Sequence, residues 1–260
     1  MRGNQIAFTE AGKGRPVVLL HGYPFDKSMW SEQIEVLATG GFRAVVPDLR
    51  GLGETRAAGE ISTMGDMARD AAALLDELKI EGATVVGLSM GGYVAFEFAY
   101  LFPSRVRGLI LAGTRAPADN DQEKAGREQQ VLTMLRAGMV PISIATLPKL
   151  LAERTRAEKP DMVKRVRTLI TRSDPKGAAA AQRGMAARRD YTDDLSNINA
   201  PTLIIVGRED PIRPISDAEF MHERIADSRL EIIEDAAHMT NMEQADIFNR
   251  LLVGFAQLIH

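Results

Sequence analysis

Residues 84–99 read Thr84-Val85-Val86-Gly87-Leu88-Ser89-Met90-Gly91-Gly92-Tyr93-Val94-Ala95-Phe96-Glu97-Phe98-Ala99. β-Favouring residues run into a glycine-rich turn, and a helical pattern follows directly. The turn has the form G-x-S-x-G, and a strand before it with a helix after it is the setting in which that pattern has mechanical meaning. So sharp a turn leaves no room for side chains at Gly87 and Gly91 and strains the residue between them. Ser89 is therefore predicted to stand above the end of a strand, at a helix N-terminus where partial positive charge favours developing anions.

Outward from this turn, short apolar runs recur at residues 17–20, 44–46, 109–112, 203–206 and 230–233. Helical patterns lie between them, at 29–39, 63–78, 91–101, 216–226 and 245–258. Runs that are largely apolar rather than alternating read as parallel strands buried on both faces. Their alternation with helices predicts an α/β fold with a doubly wound, mostly parallel sheet. In such sheets ligands bind beyond the carboxyl ends of the strands, so residues just after each apolar run are the candidates for chemistry. From residue 114 to 200 the alternation stops. Pro117, Pro141, Pro148, Pro160 and Pro175 punctuate this stretch, with helix formers at 127–139 and 161–171 between them. Residues 116–194 are expected to form a helical cap inserted into a core made of residues 1–115 and 195–260.

Composition bounds the chemistry. The chain has 260 residues, 45% of them hydrophobic and 26% charged, with no cysteine; that suits one soluble domain with an insertion. Disulfides, thiol nucleophiles and cysteine-held metals are excluded. The four histidines, His21, His222, His238 and His260, include no closely spaced pair of the kind that binds zinc on a helix, so no metal is expected. No unbroken apolar run exceeds five residues, against about twenty for a membrane-spanning helix. Residues 1–5 contain no apolar stretch of leader length, and a cytoplasmic location is expected. A net charge of −3 offers no global attraction for nucleic acid.

A serine hydroxyl needs a base. His260 is the last residue, and His222 lies in a polar helical stretch that reads as surface. His21 follows the first apolar run in His21-Gly22-Tyr23-Pro24 and competes on position alone. His238 lies in the loop after the last run, before the final helix, and is the expected base. For the orienting acid, the run at 203–206 leads into Gly207-Arg208-Glu209-Asp210-Pro211-Ile212-Arg213-Pro214. Asp210, short and held before a proline, is preferred to Glu209 and to Asp235, which is nearer His238 in sequence. An aspartate here can accept the imidazole Nδ1–H and favour the productive tautomer. Acyl transfer also needs donors for an oxyanion. The expected pair is the backbone N–H of Met90, just after the serine, and that of Tyr23, where Gly22 lets the backbone approach.

The order Ser89, Asp210, His238 is that of α/β-hydrolases, and the chain resembles the cofactor-free esterase, lactonase and haloperoxidase-like members of that family. The resemblance rests on His21-Gly22-Tyr23-Pro24 with Trp30, Pro47-Asp48-Leu49-Arg50-Gly51-Leu52-Gly53, Gly87-Leu88-Ser89-Met90-Gly91-Gly92, Gly207-Arg208-Glu209-Asp210 and Ala237-His238. It implies hydrolysis of small-molecule carboxylic esters or lactones through an acyl-enzyme, with no cofactor. It also implies a cap between the sixth and seventh strands of the usual core order. One departure is the start of the chain, which leaves little room for the earliest strand. Serine at the turn disfavours the haloalkane dehalogenase and epoxide hydrolase chemistries, which use aspartate there. Perhydrolysis, suggested by the Tyr23-Pro24 step, or carbon–carbon bond hydrolysis on the same triad are the alternatives, followed by a non-catalytic binding protein on the same fold. Residues 124–189 hold 15 basic and five acidic residues, against 17 and 30 in the rest of the chain. A basic cap of this kind could steer carboxylated substrates.

Overall fold

The computed structural model describes residues 6–57 and 59–259; the expectations made for residues 1–5 and for His260 fall outside them. The strands are β1 (Phe8–Gly12), β2 (Arg15–Leu20), β3 (Phe42–Pro47), β4 (Ala83–Leu88), β5 (Val106–Ala112), β6 (Thr202–Gly207) and β7 (Ser228–Ile233). They form one sheet in the order β1-β3-β2-β4-β5-β6-β7. Only the β1–β3 pair is antiparallel. All six residues of β4 and of β6 are buried, as expected of strands covered on both faces.

The winding decides where a site can form. From β2 the chain steps outward to β3, then returns across β2 to β4 and continues the other way through β5, β6 and β7. The direction reverses between β2 and β4, and the crevice beyond their carboxyl ends is the switch point at which such sheets bind ligands. Residues 21–24 follow β2, and Ser89 follows β4.

Core helices are α1 (Ser31–Thr39), α2 (Met64–Glu77) and α3 (Met90–Leu101), with α9 (Ile215–His222), α10 (Thr240–Glu243) and α11 (Ala245–Leu258) near the end of the chain. α2 shows why they hold. Thr63 and Asp66 form a reciprocal capping box, and Met64, Met67, Ala68, Ala71, Ala72, Leu74 and Leu75 bury one face at helical spacing.

Between β5 and β6 the chain forms α4 (Asp121–Ala137), α5 (Met139–Leu150), α6 (Glu153–Glu158), α7 (Pro160–Thr171) and α8 (Pro175–Ala186), with no strand among the described residues. Pro160 and Pro175 occupy first helical positions, where a missing N–H costs nothing. Pro148, read from sequence as punctuation, lies inside α5, close enough to its end for the helix to finish around it. α8 approaches the core backbone closely: a Cβ on Gly177 would fall 1.7 Å from the Gly51 carbonyl oxygen, and one on Gly184 1.7 Å from that of Ser62. Ion pairs Arg172–Asp26 and Arg165–Glu32 also join this insertion to the core.

Residues 8–12 form a strand that was not among the apolar runs, an edge strand that runs antiparallel to β3; its partly exposed, mixed composition gives no apolar run. The helical insertion enters between the fifth and sixth of the described strands.

Candidate active site

Ser89 sits between β4 and α3 with φ 56° and ψ −112°, a left-handed φ that costs a side-chain-bearing residue of order 1–3 kcal/mol. Surrounding bonds hold it there. Its N–H donates to the Ala112 carbonyl at 2.8 Å, and its own carbonyl accepts from Gly92 N–H and from Thr114 Oγ1, each at 2.9 Å. A Cβ on Gly91 would lie 2.1 Å from the Leu20 carbonyl oxygen, and one on Gly87 2.2 Å from that of Gly91. The turn therefore exists only because both positions lack side chains. Met90 is the first residue of α3, so its N–H has no carbonyl four residues back within the helix. Its side chain is buried in the core.

His238 lies in the loop after β7 and is 3% exposed. Its Nδ1 is 2.7 Å from Oδ2 of Asp210. The other carboxylate oxygen of Asp210 accepts N–H bonds from Ile212 at 2.8 Å and Arg213 at 2.9 Å. A carboxylate held in this way accepts from the imidazole, which places a proton on Nδ1. Neither rival acid has this setting. Glu209 is exposed, and Asp235 is exposed and pairs with Arg154 at 3.6 Å.

His21 is fully buried and has both ring nitrogens engaged: Nδ1 donates to the Gly22 carbonyl and Nε2 accepts the Leu49 N–H, each at 2.9 Å. Burial pulls its pKa below the ordinary histidine value, against the raising effect of the Gly22 carbonyl and of Asp48 and Asp26. It is a neutral strut. Asp48 braces the same loop, accepting from Lys27 N–H at 2.7 Å, Lys27 Nζ at 2.6 Å and Glu54 N–H at 2.9 Å. His222 is exposed and bonds Ser228 Oγ through Nδ1 at 2.8 Å.

Ser89 and His238 line one cavity of about 150 Å³, together with Tyr23, Tyr93, Arg127 and Arg213. Larger cavities of about 320 and 340 Å³ lie elsewhere and hold no serine–histidine pair. The Tyr23 hydroxyl points toward Met134 Sδ at 3.7 Å, and burial pushes its pKa up, with Gln182 and Arg127 opposing. Among the described residues no three histidine, aspartate or glutamate side chains cluster as a metal site requires.

Several residues in the site were not singled out from sequence. Glu243 is buried, and its carboxylate accepts the N–H of Ala237, next to His238, at 2.8 Å and that of Ala152 in the insertion at 2.7 Å. Burial raises its pKa, against the bonds from Thr155, Ala152 and Ala237. Met239, on the other side of His238, donates to the Leu150 carbonyl at 3.1 Å. The histidine loop is thus tied to the insertion on both flanks. Arg213 lies three residues after Asp210 in the quoted stretch, and only the fold reveals that it lines the cavity.

Comparison with known proteins follows the same lines. A family model described as the alpha/beta hydrolase fold matches residues 15–245. Over 222 residues the chain is 31% identical to 3-oxoadipate enol-lactonase 2 of Acinetobacter baylyi, covering 85% of this chain and 81% of that protein. It is 30% identical to a non-heme haloperoxidase of Rhodococcus erythropolis, covering 98% and 97%. Among solved structures, a malate-bound thermophilic esterase from Thermogutta terrifontis is 39% identical and superimposes with a TM-score of 0.96, covering 98% of this chain and 94% of that one. The enol-lactonase from Burkholderia xenovorans superimposes with a TM-score of 0.90 at 27% identity, covering 98% and 97%.

Proposed function

The chain belongs to the α/β-hydrolase family, and from that premise we propose that it is a serine hydrolase of small carboxylic esters or lactones. Ser89 is the nucleophile, His238 the base and Asp210 the orienting acid. The observation that carries the reading is that Ser89 and His238 line one cavity while His238 Nδ1 bonds a buried Asp210 at 2.7 Å. Relatives named enol-lactonase and esterase support ester cleavage.

In the proposed reaction, Ser89 Oγ attacks the ester carbonyl carbon as its proton passes to His238 Nε2. The carbonyl oxygen becomes an anion held by the N–H groups of Met90 and Tyr23, each worth about 2.7–4 kcal/mol in the barrier. Collapse breaks the bond to the leaving oxygen, which takes the proton from His238, and Ser89 stays acylated. Water then attacks the acyl carbon, giving its proton to His238, and the acid departs with Ser89 restored. Asp210 stays ionised and stabilises the transient imidazolium.

Residues 116–194 act as the cap over this site and residues 1–115 with 195–260 as the catalytic core. The cavity, about 150 Å³, is small beside the ~300–1,000 Å³ of drug-sized pockets, which favours short acyl chains. Hydrolysis of 4-nitrophenyl acetate tests the reading: the wild type is expected to turn it over and Ser89→Ala to lose that activity, whereas equal slow rates would reject it.

The second reading is perhydrolysis, favoured by the haloperoxidase relative and by the Tyr23-Pro24 step. Hydrogen peroxide would replace water in the deacylation and release a peracid. Peracid formed by the wild type in acetate and peroxide, and not by Ser89→Ala, would establish it.

A further inference from the structure

The cavity that holds Ser89 and His238 also holds a buried cation that no carboxylate meets directly among the described residues. Arg213 lines the cavity and is 9% exposed. One of its terminal nitrogens donates to the Ile212 carbonyl at 2.7 Å and the other to the Tyr93 hydroxyl at 2.5 Å. Its Nε is buried with no hydrogen-bond partner, and among the described residues no carboxylate forms an ion pair with it. Taking a guanidinium out of water costs several kcal/mol unless an anion meets it.

The neighbouring arginines are in a different position. Arg115, Arg127 and Arg188 all pair with Asp119, and Arg115 also pairs with Glu123 at 2.7 Å. Three guanidiniums thus share two carboxylates, and among the described residues Arg213 is the one left without a carboxylate partner. Two further carboxylates lie near it. Asp210 is engaged by His238 and two N–H groups. Asp217 lies within electrostatic range of Arg213, but among the described residues it makes no hydrogen bond or ion pair with it.

Tyr93 completes the arrangement. It is buried, lines the same cavity, and has the Arg188 guanidinium stacked 4.1 Å from its ring centroid. Its oxygen accepts from Arg213, so its own proton is left to donate. Burial would raise its pKa, but Arg213, Arg188 and Arg127 together lower it, making the hydroxyl a stronger donor.

We propose that Arg213 and the Tyr93 hydroxyl form a carboxylate-binding subsite in the cavity of Ser89, so that the ester or lactone cleaved carries a second, ionised carboxyl group. This rests on the reading of that cavity as the hydrolytic site. A guanidinium fork beside a hydroxyl matches a carboxylate's two oxygens. With so small a cavity, carboxylate and scissile carbonyl belong to one short molecule, such as a monoester of a short dicarboxylic acid. The excess of basic residues between 124 and 189 would raise the local concentration of such anions.

Monomethyl succinate and methyl butanoate, esters of similar length that differ in one carboxylate, separate the possibilities in a pH-stat assay. The wild type is expected to favour the succinate monoester in kcat/KM by about tenfold or more, the worth of one charge-assisted contact. Arg213→Gln is expected to abolish that ratio; the Arg213 backbone N–H to Asp210 survives the substitution. Equal kcat/KM values for the two esters in the wild type, or an unchanged ratio in Arg213→Gln, overturn the subsite and leave the hydrolase reading standing. If neither ester is cleaved, the hydrolase reading fails, and the subsite is decided by succinate alone. It should raise the Tm of the wild type and not that of Arg213→Gln, and no shift in the wild type overturns it. If Arg213→Gln does not fold, Tyr93→Phe keeps the ring beneath Arg188 and removes only the hydroxyl. It should lower the ester ratio, and an unchanged ratio overturns the proposal.

Discussion

His238 Nδ1 lies 2.7 Å from Asp210 Oδ2, with the imidazole 3% and the carboxylate side chain 0% exposed. The two come from loops after different strands, β7 and β6. The adjacent aspartate in sequence, Asp235, has φ 53° and an exposed carboxylate paired with Arg154. Closeness along the chain thus gives no contact, and closeness across the sheet does.

Asp210→Asn should keep the fold but favour the wrong imidazole tautomer. Turnover of 4-nitrophenyl acetate should fall by about three to four orders of magnitude, whereas Asp235→Asn should stay close to wild type. The reverse pattern would transfer the acid role to Asp235.

Glu243→Gln puts an NH₂ where a carboxylate oxygen accepts from either Ala237 or Ala152. One N–H then faces a donor, at a cost of about 1–3 kcal/mol. A lowered Tm and a kcat reduced about tenfold with little change in KM are expected, because the change loosens His238 and not the substrate contacts. Loss confined to KM would contradict this.

Glycine substitutions discriminate between positions. Gly91→Ala drives a Cβ to 2.1 Å from the Leu20 carbonyl, while at Gly126, inside α4, no neighbour lies within 4 Å. Gly91→Ala should fail to give stable protein. Gly126→Ala should be stabilising by up to about 1 kcal/mol, read from urea unfolding midpoints.

The buried His21 makes stability depend on pH. Its folded pKa is lowered from 6.5, so the unfolded chain binds more protons in the window between the two values. Its contribution is complete above about pH 6.5 and is lost as pH falls toward the folded value. Urea midpoints should decline in that window for the wild type and decline less for His21→Gln. Equal slopes would remove His21 as the cause.

The sheet was legible because buried parallel strands must be apolar on both faces, which is why β2 to β6 stand out as short runs, while β7, at the other edge with Arg229 and Glu231, shows only through Leu230, Ile232 and Ile233. β1, at an edge with one antiparallel neighbour, carries Thr9 and Glu10 and does not. The helix limits were clear where chemistry punctuates, as at Thr63 before α2 and at Pro160 and Pro175, and unclear where Pro148 is tolerated near a helix end. Ser89, Asp210 and His238 were legible because each follows an apolar run. Tyr93, Arg127, Arg213 and Glu243 were not, since an arginine on a helix or in a loop has the same local signature in solvent as in a buried site. Only the fold reveals that Arg213 lacks a carboxylate partner and that Glu243 reaches Ala237 and Ala152 at once.

The proposed mechanism requires Ser89 to be an activated nucleophile. Incubation with a fluorophosphonate, followed by intact-mass and peptide mapping, measures that reactivity. One phosphonyl group on the peptide containing Ser89, absent in Ser89→Ala and formed far more slowly in a His238→Ala variant, is the expected result. A wild type that stays unlabelled, or a label on another residue that persists in Ser89→Ala, would contradict it.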